Sequence, residues 1–263
     1  MKIIELAGSP GVGKSTIYKE IVNLWGKESS WVPAHLLYPK AGINFQSLFK
    51  FFKNIKAIVQ GTHGKIGTVG FIGGRKRFVS AYPEYMDACW EGIMTKQRRS
   101  LNNVDLRIEK AQHLSNTIEN IQFIIENKTN KTVVLEEGLI HLMDVLLFSD
   151  DPDEISRILD VMPLPDAVID IQTETMENVR RLMSRSVTLT MHERLNAHQL
   201  KNFVNQSRHR RNIINRLLEE RGVSVLPIDS GVNATINADK IIAFAEKLIP
   251  QGAKQTEALK VSC

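Results

Sequence analysis

Eight residues near the amino end, Gly8-Ser9-Pro10-Gly11-Val12-Gly13-Lys14-Ser15, spell G-x-x-x-x-G-K-[ST]. The flanks fix their context. Lys2-Ile3-Ile4-Glu5-Leu6-Ala7 reads as a short buried strand. Thr16 to Trp25 reads as a helix, with Ile17, Ile21, Leu24 and Trp25 on one face and Gly26 as its stop. Strand, glycine loop and helix in this order form a loop that wraps phosphate. Gly8, Gly11 and Gly13 allow positive φ, so backbone N–H groups turn inward around an anion. Pro10 stiffens the loop. Lys14 is placed to reach the β and γ phosphates, and the Ser15 hydroxyl is placed to coordinate magnesium. The helix beginning near Gly13 adds its positive dipole end. The expected nucleotide-binding set is Gly8, Ser9, Pro10, Gly11, Val12, Gly13, Lys14, Ser15 and Thr16.

The rest of the chain alternates in the same way. Thr132-Val133-Val134-Leu135-Glu136, Asp166 to Ile171 and Val223 to Ile228 read as buried parallel strands, and a weaker one falls around Val32 to Leu37, where Pro33 interrupts. Between them lie helical stripes: Leu114, Ile118, Ile121 and Ile125, then Ile213, Ile214, Leu217 and Leu218, and a closing helix from Ala238 to Leu248. Strands alternating with helices predict a three-layer α/β fold, a parallel sheet with helices on both faces. Over 263 residues, 43% hydrophobic and 24% charged, nothing marks a second independent domain. We expect one domain over 1–250, with an acceptor-recognition insert at about 38–130, a lid at about 181–197 and a polar tail at 251–263.

Charge and cysteines narrow the class. A net charge of +5 suits an anionic substrate but does not argue for nucleic acid. No apolar run approaches a membrane span, and because the amino end enters its strand at once, no signal peptide is expected. Cys89 and Cys263 make no disulfide framework, so a cytoplasmic protein is expected. Gly61, Gly64, Gly67, Gly70 and Gly73 recur every third residue before Gly74-Arg75-Lys76-Arg77. That stretch reads as a surface loop, or as a basic flap over an anionic substrate.

A phosphate loop needs a partner acid at the end of a neighbouring strand. Val133-Val134-Leu135-Glu136-Glu137-Gly138 supplies one. Such an acid can hold magnesium or accept the proton of an attacking hydroxyl. Glu136, which directly ends the apolar run, is the first candidate, and Glu137 the second. After the strand ending at Ile171, helical spacing puts Arg181 and Arg185 on one face with Arg180 turned away. Two guanidinium groups there suit the charge of a transferring phosphoryl group. The seven histidines show no metal-ligand spacing in sequence.

The order of these features resembles the thymidylate kinase and deoxynucleoside kinase group of P-loop kinases. The matching positions are Pro165-Asp166, Arg181, Arg185, Glu193-Arg194 and Ile228-Asp229, over residues 1–25 and 131–248. The resemblance implies an ATP-dependent phosphotransferase with Mg2+, Lys14, Glu136, Arg181 and Arg185 as its catalytic residues, and Ser15, Glu136 and Glu137 near the metal. Its partner would be a small-molecule acceptor, a nucleoside, nucleotide or sugar, with no membrane, no nucleic acid and a homodimer left open. Two departures stand out. The arginine that follows the acid in that group is Glu137 here, and the acid before the first loop glycine is Ala7. The region from 38 to 110 carries no placeable motif; Arg75, Arg77, Tyr82, Tyr85, Trp90, Arg98 and Arg99 are its candidates for acceptor contact. A kinase of another hydroxyl metabolite and a nucleotide-binding regulator or ATPase are the competing readings. The guanine-binding signature is only approached, by Asn127-Lys128-Thr129-Asn130, which lacks the aspartate.

Overall fold

The computed structural model describes residues 1–38, 74–94, 104–127, 129–146, 150–184 and 195–248. The run before the glycine loop is β1 (Lys2–Ala7), the central strand of a parallel sheet. With β2 (Trp31–Pro33), β3 (Thr132–Leu135), β4 (Ala167–Gln172) and β5 (Ser224–Asp229) it forms the order β2-β3-β1-β4-β5. All the pairings are parallel, and Ile4 stands opposite Val134 on one side and Ala167 on the other.

Side-chain alternation divides the sheet between two helical layers. Ile4, Leu6, Val134, Ile169 and Ile171 bury against Ile17 and Ile21 of α1 (Lys14–Leu24) and Ala238, Ile241 and Ala245 of α9 (Ala234–Lys247). Ala7, Val133, Leu135 and Val168 face the other way. Their layer contains α2 (Gly74–Ala81), α3 (Pro83–Met94), α4 (Val104–Glu126), α5 (Leu139–Leu146), α6 (Pro152–Val161) and α8 (Ala197–Glu220). The remaining described helix, α7 (Thr175–Met183), packs Val179 and Leu182 on Leu200 and Val204 of α8. The chain therefore has the expected three-layer α/β P-loop fold. Each large apolar side chain fully withdrawn from water adds about 1.5–3 kcal/mol, and Ile4, Leu6 and Ile169 are all fully buried.

Several local expectations change. The α4 stripe ends on Ile124, which is fully buried, whereas Ile125 is exposed. β2 is a three-residue edge strand ending at Pro33, followed by a 3-10 turn at Ala34–Leu36. Gly74 to Arg77 begin α2 instead of ending a loop or flap; Arg75 pairs with Glu119 and Arg77 with Glu126, both on α4. Tyr85 is fully buried core. The glycines from 61 to 73, Arg98, Arg99 and the tail lie outside the described residues. Asp166 ties the start of β1 to β4, accepting from the Lys2 ammonium and the Ile3 N–H, both at 2.7 Å.

This topology positions the site. β3 and β4 lie on opposite sides of β1, so the chain reverses its direction of travel across the sheet there. Ligands in open α/β sheets occupy the crevice at the strands' carboxyl ends beside such a switch.

Candidate active site

The glycine loop leaves β1 at this crevice. Gly13 caps α1 with φ 104°, and Gly11 sits at φ 89°. A Cβ at Gly11 would come within 2.5 Å of Asn178 Oδ1, so both conformation and space demand glycine there. The loop is braced on three sides. Ser9 Oγ lies 2.7 Å from Ser207 Oγ of α8. The Val12 side chain is buried in the α1 layer. Lys14, itself buried, donates from Nζ to the Gly8 carbonyl at 2.7 Å, holding its ammonium beneath the loop.

Arg181 approaches from α7. Glu174 caps that helix by accepting from the Glu177 N–H at 2.8 Å. Glu177 then pairs with Arg180 and Arg181, whose hydrogen bonds hold its carboxyl down at about 2. Arg180 stays largely in solvent. Arg181 reaches inward, donating from Nη1 to the Val12 carbonyl at 3.1 Å and to Ser230 Oγ at 3.0 Å. Arg181 thus faces the loop while Arg180 points away, as helical spacing places them. Arg185, Glu193-Arg194 and most of the expected lid lie outside the described residues.

Of the two acids that follow β3, Glu137 and not the first candidate Glu136 lines the cleft. Strand alternation carries past Leu135, so Glu136 follows Val134 toward α1. There burial, then the Tyr38 and Glu136 charges, raise the Tyr18 phenol, and the Glu136 charge partly offsets the burial that lowers His35. Glu137 turns the other way and lines the cleft with Lys14, Ser15 and Arg181; Glu136 does not line it. Gly138 is also constrained, because a Cβ there would meet Glu5 Oε2 at 2.5 Å.

Glu5 is a residue that sequence reasoning missed. Its buried carboxylate accepts from the N–H groups of Gly138 (3.1 Å), Ile140 (3.1 Å) and His141 (2.6 Å). It caps the start of α5 from the strand beneath, where orphan N–H groups and the helix dipole favour an anion. Burial still pushes the carboxyl up to about 7, outweighing these bonds and the Arg211 charge. An acid inside an apolar strand was the visible signal, since such a group needs partners.

The cleft has a volume of about 770 Å³, within the range of small-molecule sites. Its far wall is α4, where Glu109, Lys110, His113 and Asn116 recur at helical spacing and line it. None was anticipated. His141, on α5, sets its Nε2 3.5 Å from Glu137 Oε1, and the rings of His113 and His141 meet edge to face with centroids 6.4 Å apart. Burial, then the charges of Lys14, Arg211, His113 and Lys110, lower His141 well below the usual imidazole range. At the other end, Asp229 Oδ1 accepts from the Gly231 N–H at 2.8 Å, shaping a turn that brings Ser230 and Val232 to the cleft.

No family model and no curated protein matches the chain. Solved structures do align with it over most of its length. One is deoxyadenosine kinase from M. mycoides with dCMP product and a flexible dCDP bound: 11% identity, 94% of this chain, 100% of that chain, TM-score 0.47. The same enzyme with dATP bound aligns at 10% identity over 92% of this chain and 98% of that one, TM-score 0.40. Shikimate kinase from Bacteroides thetaiotaomicron aligns at 10% identity over 94% and 97%, TM-score 0.36. Identities this low, with TM-scores below one half, leave substrate and residue roles to the chain's own site.

Proposed function

We propose that the protein is an ATP-dependent kinase that transfers a γ-phosphoryl group to a small-molecule acceptor bound between the glycine loop and α4. One observation carries this reading: Lys14, Ser15 and Arg181, which suit phosphate, share a cleft with the Glu137 carboxylate. The loop N–H groups and Lys14 would hold the β and γ phosphates. Arg181, reaching from α7 to the loop carbonyl of Val12, would stabilise charge on the transferring group as it develops. Glu137 would accept the acceptor's proton or hold the metal's water.

Ser15 and Glu137 offer oxygen donors on one cleft, the hard ligand type that Mg2+ requires. When bound with ATP, the ion would offset phosphate charge. On the acceptor side, Lys110 adds a buried cation. That favours an acceptor carrying an anionic group, so a nucleoside monophosphate leads, then a nucleoside, then a phosphorylated sugar.

The test is ADP release with ATP and Mg2+ alone, and then with pools of nucleoside monophosphates, nucleosides and sugar phosphates. Stimulation by one pool is expected, with the monophosphates strongest. Acceptor-independent release would make the protein an ATPase, and binding without turnover would make it a regulator.

A further inference from the structure

The histidines of the cleft wall are not used by phosphoryl transfer. His113 comes from α4, Glu137 from the turn after β3 and His141 from α5, and one ligand atom of each lies within 4.8 Å of the others. We infer that His113, Glu137 and His141 form a transition-metal site in the wall of the cleft, one that takes a Zn2+-type divalent ion. Three features carry the inference.

The donor set is two imidazoles and one carboxylate, the mixture that selects zinc and its neighbours over magnesium. Bonds of about 2.0–2.2 Å to a tetrahedral ion separate its ligand atoms by roughly 3.3–3.5 Å. His141 Nε2 and Glu137 Oε1 already stand at 3.5 Å, so closing His113 on them is the main adjustment needed. The second feature is His141 itself. Its side chain is only 8% exposed, and its Nδ1 has no hydrogen-bond partner among the described residues. With the ion on Nε2, Nδ1 would carry the ring proton, so what this burial supplies is a fixed ring already facing Glu137. Third, three protein ligands leave a coordination position open, and these ligands line the nucleotide cleft, from which water or a ligand oxygen can fill it.

The surroundings are mixed in charge. Glu109 lines the same wall, while Lys14 and Lys110 oppose a cation there. Nucleotide phosphate on Lys14 would relieve part of that opposition. Because Glu137 is shared, a bound transition ion would withdraw it from the chemistry; this consequence, unlike the site, rests on the kinase reading.

The test is cobalt titration of the full chain after chelator treatment and dialysis, read by visible absorption. One Co2+ per chain with the bands of imidazole ligation is expected, displaced by stoichiometric Zn2+ and not by excess Mg2+. His113→Ala and His141→Ala should each weaken binding roughly tenfold or more. His113→Ala, checked for native circular dichroism, covers the case in which the buried His141 variant fails to fold. Lys14→Ala removes a cation acting on His141 and should bind Co2+ at least as tightly, even if the kinase reading fails. Absence of Co2+ binding, displacement by Mg2+, or indifference to His113→Ala in the folded protein would overturn the site.

Discussion

The glycine loop and the α4–α5 wall face each other across one cleft, yet they are assembled in opposite ways. The loop is local. Gly8 to Ser15 are consecutive, their conformations are set by glycine, and Val12, Ser9 and Lys14 are braced where they stand. The wall is tertiary: Lys110 and His113 come from a long helix, Glu137 from a turn and His141 from another helix, and a buried acid in β1, Glu5, holds the turn in place. On the proposed function, the loop would carry chemistry that many acceptors could share, and the wall the groups that choose among them. Specificity would then reside where the chain has no contiguous motif.

The comparison can be broken from either side. The largest effect should come from Lys14→Ala, which removes the loop's cation and should cut turnover by about 10²–10³-fold while circular dichroism stays native. Arg181→Ala should lower kcat by roughly 10- to 100-fold with a smaller change in the ATP KM, as expected of a contact that strengthens in the transition state. A change confined to KM would demote Arg181 to a brace for the Val12 carbonyl. Gly11→Ala should destabilise by about 3 kcal/mol in urea unfolding, from its positive φ together with the approach to Asn178.

The smallest effect concerns the wall and has a defined sign. Glu5 has a folded-state pKa raised to about 7 from an ordinary 4.5, so between those values the folded state binds the extra proton. Its contribution to stability is therefore greatest at low pH and declines as pH rises through that window. From pH 5 to 7 the decline should be about 2 kcal/mol, and Glu5→Gln should flatten it. An unchanged slope in Glu5→Gln would show that another group sets it.

Legibility in the sequence followed the same division. Hydrophobic alternation and the glycine motif located β1, α1, β3, β4, β5 and the layer arrangement, because each depends on neighbours a few residues away. Arg181 was legible because four-residue helical spacing and strand order placed it. Glu136 was preferred over Glu137 because it ends the apolar run; the two-residue period beyond Leu135 instead sends it toward Tyr18 and leaves Glu137 on the cleft. His113 and His141 have no sequence spacing that reads as a site, since only the packing of α4 on α5 brings them together. Lys110 looked like any lysine on a charged helix until burial placed it in the cleft.

The central claim is that the loop and the wall form a single reactive cleft through Glu137. Its most direct measurement is single-turnover transfer of labelled γ-phosphoryl from ATP to the acceptor in Glu137→Gln and Glu136→Gln, alongside ATP affinity for each. Glu137→Gln should slow transfer by about 100-fold or more with ATP binding largely kept, and Glu136→Gln should stay within roughly threefold of the parent. Transfer unaffected by Glu137→Gln, or lost only in Glu136→Gln, would contradict it.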